Sequence, residues 1–257
     1  MNQSKWTGHR VAFLVTFLRS LEDILFPPRC PVCDGLLSPG EEMIHPDCRK
    51  LVYPVLDPVC MHCGKPLGHE AGEYCLECRK NIRTRGCYRQ GKSVFLYKEQ
   101  MKKSIYRFKY SNRREYAAYY AAAACRSYEA WIRRQNIDAI VPVPMYPAKQ
   151  RLRGYNQAEC FGRELSGRLD IPLERKLLQR CRNTKPLKMM NEESRRKMLK
   201  GAFAADARLA EKRRLETVLL VDDIYTTGST VEEAALALQK AGIKTVYILT
   251  ICTAQGI

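Results

Sequence analysis

Apolar residues at Leu14, Phe17, Leu18, Leu21, Ile24 and Leu25 recur at the three-and-four spacing of one helical face, and Pro27 and Pro28 close the run. A short amphipathic helix follows, making up a segment 1–28. Its polar face is not richly basic, so docking on its own domain is favoured over lying on a membrane. Further on, Val94–Tyr97 predicts a strand and Gln100–Lys109 a helix. Tyr116–Arg134 is alanine-rich and predicts a long helix. Asp138–Val143 reads as a buried strand stopped by Pro142 and Pro144, and Asn156–Leu169 as a helix. Arg180–Lys200 is polar and basic and reads as a long loop. Thr217–Val221 is a wholly apolar strand, Ser229–Ala241 an amphipathic helix closed by Gly242, and Lys244–Cys252 a last buried strand. Strands alternating with helices imply an α/β fold, a parallel sheet covered on both faces.

The chain has 257 residues, 46% of them hydrophobic, enough for one α/β domain and a smaller module. The longest apolar candidate, Val11–Phe26, is interrupted by Arg19, Glu22 and Asp23, too early for a bilayer span, and no small-residue cleavage site follows it. The expected location is the cytoplasm. There, twelve cysteines are better read as metal ligands or buried thiols than as disulfides.

Charge adds a partner class. Forty-four Lys and Arg stand against 27 Asp and Glu, a formal +17, which favours polyanions: nucleic acid, phosphorylated small molecules or an anionic membrane face. From Arg79 to Arg114 there are thirteen basic residues and one acid, Glu99. The stretch reads either as a solvated face or as a phosphate track with Tyr88, Phe95, Tyr97, Tyr106, Phe108 and Tyr110 as base-stacking platforms, although aromatics at this spacing are more often core.

The cysteines repeat. Cys30-x2-Cys33-x11-His45-x2-Cys48 is followed thirty residues later by Cys60-x2-Cys63-x11-Cys75-x2-Cys78. His45 stands where the second unit has Cys75, and both residue types ligate zinc. A Cys-x2-Cys turn offers two thiolates to one ion, and eleven residues suffice for a hairpin that brings round the other two ligands. So short a segment (29–80) buries little core, so metal would supply much of its folding free energy. With four protein ligands each, the sites are structural. His62 is read as a bystander, and Cys87, Cys125, Cys160, Cys181 and Cys252 as buried thiols.

Thr217–Thr230 carries the other chemistry. An apolar strand ends in Asp222 and Asp223, a turn of small and hydroxyl residues follows, and a helix begins. In a parallel sheet, ligands bind at the carboxyl ends of strands. Thr226, Thr227, Gly228, Ser229 and Thr230 would wrap N–H groups and hydroxyls round a phosphate at a helix N-terminus. The paired acids are placed to accept hydrogen bonds from vicinal sugar hydroxyls. An ordinary helix cap needs less than this. The stretch resembles the signature of type I phosphoribosyltransferases. That resemblance implies ribose of phosphoribosyl pyrophosphate (PRPP) on Asp222 and Asp223, its 5′-phosphate on Thr226–Thr230, and magnesium on the pyrophosphate.

Further motifs narrow the resemblance: the cysteine-rich start, Phe108–Tyr110, Val141–Pro144, Arg153–Ala158 and Gly201–Phe203. Together they resemble the ComF family from about Leu21 to Cys252. This implies a type I phosphoribosyltransferase fold over 81–257 behind an N-terminal double zinc ribbon. It also implies a role in natural competence: handling single-stranded DNA on the cytoplasmic side of the membrane, with partners in the competence machinery and peripheral attachment to the inner face left open. One departure concerns the long loop, where Arg182, Thr184 and Arg195 match the family but Leu187 replaces a glutamine and Met198 an asparagine. Arg182, Lys185 and Arg195 are candidates to supply a cation to departing pyrophosphate. Lys149, Arg151 and Arg153, after Pro144, are candidates for its other side. Two further readings stay open: phosphoribosyl transfer to an amine or nucleobase, and PRPP-responsive regulation without catalysis.

Overall fold

The computed structural model describes residues 27–38, 42–68, 72–80, 86–183 and 197–254. The helix expected over Leu14–Leu25 lies outside them, as do Lys185, Leu187 and Arg195.

Four parallel strands form the central sheet in the order β1 (Gln90–Leu96), β6 (Thr245–Thr253), β5 (Thr217–Tyr225) and β2 (Ala139–Pro142). Apolar residues alternate along β5. Val218 and Leu220 enter one core, Leu219 and Val221 the other, as the two-residue period of a strand requires. On the first face lie α8 (Ser229–Lys240), α7 (Ala207–Arg213) and a two-stranded antiparallel ribbon of β3 (Leu178–Arg180) and β4 (Phe203–Ala205). On the second lie α3 (Glu99–Tyr110), α4 (Tyr116–Arg134) and α6 (Gln157–Leu169). The helix α3 buries Met101, Ile105 and Phe108, its i, i+4, i+7 stripe. Small residues on α4, Ala117, Ala121 and Ala124, are buried where that helix meets its neighbours. Burial of each large apolar side chain contributes roughly 1.5–3 kcal/mol.

The cysteine segment does not form a body apart from the sheet. Its first unit shares a core with α3, α4 and α6, and its second unit shares a core with α8 and β3–β4, so the two units flank opposite faces. The connection crosses at the sheet edge. There Val55 N–H donates to Val94 O at 2.9 Å and Leu96 N–H to Tyr53 O at 2.8 Å, pairing backbone that an edge strand would leave open.

Several elements run beyond their expected ends. The strand β5 continues through Tyr225 because Asp222, Ile224 and Tyr225 keep pairing with Thr250, Cys252 and Thr253. Asp222 and Asp223 therefore sit on the strand and not past it. The strand β1 starts at Gln90, four residues early, held by β6. Within the segment read as one loop, Leu178–Arg180 pairs with Phe203–Ala205.

Candidate metal centres and phosphate site

The two cysteine units fold alike. In the first, Cys30 N–H donates to Gly35 O and Asp34 N–H to Cys30 O, at 2.8 and 2.9 Å. In the second, Cys60 N–H donates to Lys65 O and Gly64 N–H to Cys60 O, at 2.8 and 2.9 Å. Each knuckle is closed by a ligand pair at the start of a short helix: His45 and Cys48 at α1 (Pro46–Arg49), Cys75 and Cys78 at α2 (Leu76–Lys80). In each unit the four ligand atoms lie within 4.8 Å of one another.

Zinc fits both sites. A tetrahedron with Zn–S near 2.3 Å sets thiolates about 3.8 Å apart, and Cys63 Sγ and Cys75 Sγ are 3.7 Å apart. Cys33 Sγ lies 3.3 Å from His45 Nδ1, while Nε2 of the same ring is 2.9 Å from Leu36 O. A carbonyl holding the far ring nitrogen leaves Nδ1 to the metal, the usual outer-shell arrangement. Burial raises the Cys33 thiol, but hydrogen bonds from Gly35 N–H and His45 outweigh it and bring it down to about 7, toward the thiolate a metal needs.

The units differ in how they dock. The residue that follows each Cys-x2-Cys pair has positive φ, 67° at Asp34 and 75° at Gly64. In the first unit this residue is an anchor: Asp34 accepts from Arg113 at 2.8 and 3.1 Å and from Tyr116 Oη. In the second a side chain has no room, because a Cβ on Gly64 would come within 2.4 Å of Gly91 O. His62 is no ligand, but it is buried, and its ring stacks on Tyr88 at 4.1 Å.

Tyr88 links that knuckle to the strand carrying the paired acids. Its hydroxyl lies 3.0 Å from the Tyr225 hydroxyl, and Lys65 Nζ sits 5.6 Å from the centre of the Tyr225 ring. Immediately after Tyr225 the chain turns through Thr226–Gly228 into α8. Gly228 has φ 85°, and a Cβ there would meet Tyr225 Oη at 2.4 Å. Thr227 and Ser229 face each other with hydroxyl oxygens 3.1 Å apart. The first-turn N–H groups of α8 point out of this turn.

The two acids differ in environment. Asp223 accepts from Lys109 Nζ at 2.8 Å, an ion pair shielded from solvent. Asp222 accepts from Asp223 N–H at 2.8 Å. Burial, and then the neighbouring Asp223 carboxylate, push Asp222 up to about 7, against the pull of that N–H, Lys109 and Arg180. Burial works against the charge on Lys109, yet Asp223 and Asp222 together hold it protonated.

Lys149, Arg151 and Arg153 lie on a helix, α5 (Pro147–Arg153), and not on a loop; Pro147 opens it and Gly154, at φ 84°, ends it. Lys149 is pulled down by burial and then by the charges of Arg180 and Arg153, and it lines one cavity with Arg153. Arg153 donates to Gln157 Oε1 at 2.6 Å. Arg151 lines a separate shallow depression with Pro147, Gln150 and Gly154. Arg182 is exposed and donates to Lys200 O at 3.0 Å.

Three expectations need correction. Tyr88, Phe95 and Phe108 are core residues, because the elements that carry them face the sheet; of the six aromatics, Tyr106 and Tyr110 are the exposed ones. The basic stretch is not one track: Arg107 donates to Val32 O and Arg113 pairs with Asp34, both holding the first cysteine unit, and Lys109 pairs with Asp223. Cys181 is exposed and Cys125 and Cys160 are half-buried; Cys87 and Cys252 are buried as expected. Lys109, Arg180, Lys65 and Tyr225 escaped the sequence reading as site residues. Only Lys109 carried a signal, a lysine between two aromatics in the Phe108–Tyr110 motif.

This architecture defines a phosphoribosyltransferase-type domain joined to a double zinc ribbon. Residues 21–79 match the double zinc ribbon domain family and residues 155–256 the phosphoribosyl transferase domain family. The chain is 32% identical to Competence protein F of Haemophilus influenzae over 225 residues, 86% of this chain and 94% of that protein. It is 29% identical to Competence protein ComFC of Bacillus subtilis over 80% of this chain and 82% of that protein. It is 27% identical to DNA utilization protein YhgH of Escherichia coli over 76% and 83%. The chain belongs to the ComF family.

Proposed function

We propose that this protein binds PRPP at the β5–α8 turn and handles single-stranded DNA in competence or DNA utilization. The observation that carries the first part is the paired acids on the end of β5, one neutralised by Lys109, running directly into a Gly228-centred turn at a helix N-terminus. Asp222 and Asp223 hold the ribose hydroxyls, and Thr226, Thr227, Gly228, Ser229 and Thr230 hold the 5′-phosphate. Lys149, Arg153 and Arg180 form the pyrophosphate side. Their mutual repulsion is what a polyanion would relieve. Magnesium belongs on that pyrophosphate.

Support for the DNA role is the basic surface and the kinship with competence proteins and a DNA utilization protein. Among the described residues no helix is long and apolar enough to cross a membrane.

The test is calorimetric titration of the magnesium complex of PRPP. Replacing both acids (Asp222→Ala with Asp223→Ala) is expected to weaken binding by at least tenfold, since hydrogen bonds to charged groups contribute about 1.5–3 kcal/mol each. Unchanged affinity would refute the pocket. Single-strand binding that does not weaken with salt would refute the DNA role.

A further inference from the structure

The helix α3 is apolar on one side and exposes two large aromatics on the other. Tyr106 and Tyr110, one turn apart, are 59% and 54% exposed, with ring centroids 5.0 Å apart. Lys102 and Lys103 are exposed one turn earlier on the same helix. At the far end, the Arg153 guanidinium lies 4.8 Å from the centre of the Tyr110 ring. Tyr110 and Arg153 also wall a cavity of about 280 Å³, together with Lys109, Lys149, Asn112 and Leu152. Leu152 is 91% exposed. Lys109 is the same residue that pairs with Asp223, so this cavity adjoins the paired acids.

Lined by cations, an aromatic face, an amide and an apolar tip, with no acid, the surface suits a planar base carrying a phosphate. Stacking on Tyr and Arg planes tolerates any base, and lysines beside the stack meet the backbone. A lone nucleobase would fill the cavity but leave Tyr106, Lys102 and Lys103 unused. A strand running along α3 uses all of them.

We infer that Tyr106 and Tyr110, the latter backed by Arg153, form a base-stacking platform that receives single-stranded DNA along α3 and delivers one base to the cavity that shares Lys149 and Arg153 with the proposed pyrophosphate side. This rests on the DNA-handling reading and gives it a location. Stacking contributes about 1–3 kcal/mol per base, so removing either ring should weaken binding roughly five- to a hundredfold.

The test is fluorescence anisotropy of a labelled oligodeoxythymidylate with the full chain, beside PRPP titration. Tyr106→Ala and Tyr110→Ala are expected to weaken the strand at least fivefold, while Tyr106→Phe and Tyr110→Phe, which keep the ring, bind like the parent. PRPP affinity of Tyr106→Ala should be unchanged. Replacing Lys102 and Lys103 by Gln should reduce the slope of log K against log salt by about 0.7 for each phosphate that is no longer neutralised. If the parent binds the strand and the alanine variants bind it equally well, the platform is wrong and the DNA-handling reading survives. If the parent binds no strand, both fall. If free thymidine monophosphate displaces the strand from the parent at equal concentration, the surface is a mononucleotide site and the inference is overturned.

Discussion

The hydroxyls of Tyr88 and Tyr225 meet at 3.0 Å in the interior, where the strand leading to the phosphate turn packs on the second cysteine knuckle. Each is the other's partner, and His62 and Lys65 close over the pair from the knuckle. Removing one hydroxyl leaves a buried polar group unsatisfied, at a cost of about 1–3 kcal/mol. Tyr88→Phe and Tyr225→Phe are each expected to lower unfolding free energy by roughly 1 kcal/mol, and the double variant by less than their sum. Denaturant melts arranged as a double-mutant cycle measure the coupling.

Metal removal should reach further from one site than from the other. Purified protein is expected to hold two zinc ions per chain. Cys63 is 1% exposed and its knuckle abuts Gly91, whereas Cys33 is exposed. Cys63→Ser should therefore lower the melting temperature more than Cys33→Ser. It should also weaken PRPP binding, because the same knuckle supports Tyr225. Elemental analysis, melts and titration on both variants provide the comparison. An equal effect on PRPP from both would show that the second unit is no special support.

Protonation of Asp222 should appear in the pH dependence of stability. Its folded value of about 7 lies above the ordinary 3.8. The folded state thus holds the proton more tightly, and the stabilisation, complete below about pH 4, is lost as pH rises through 7. Asp222→Asn is expected to stabilise the ligand-free protein at pH 8 by up to about 4 kcal/mol, at about 1.4 kcal/mol per pH unit between 3.8 and about 7, and hardly at all at pH 4. Denaturant melts at the two pH values test it, and an equal gain at both would contradict it.

Gly228 is constrained by backbone and by space. With φ at 85° and Tyr225 Oη 2.4 Å from any Cβ, Gly228→Ala must distort the turn. A loss of about 1–3 kcal/mol in stability is expected, with PRPP affinity falling at least tenfold. Melts and calorimetry on the variant check both.

The β5–α8 turn and the two four-ligand clusters were legible because each is a local run whose residue types mark it. Asp222–Thr230 is read from one strand, one turn and one helix start, and the eight zinc ligands from a spacing repeated thirty residues on. The long helix over Tyr116–Arg134 was legible from its composition, and its ends coincide with the observed ones. The helix Pro147–Arg153 was missed because it buries none of its residues, so no apolar period marks it. The basic stretch misled for a different reason. Arg107, Lys109 and Arg113 find their carboxylates and carbonyls 75 to 114 residues away in sequence.

The sequence by itself determined the local pattern of this protein: two four-ligand metal knuckles, a parallel α/β core, and the acid-acid-turn-helix proposed to hold a sugar phosphate. These depend on interactions between near neighbours, which spacing and residue type encode directly. Only the tertiary structure decided that the two knuckles flank opposite faces of one sheet. It also decided that Lys109 pairs with Asp223 while burial and the Asp223 carboxylate push Asp222 up, and that Tyr106 and Tyr110 remain in solvent while Phe108 between them is buried. Burial and long-range pairing set those outcomes. Both arise when distant segments meet, which no local pattern specifies.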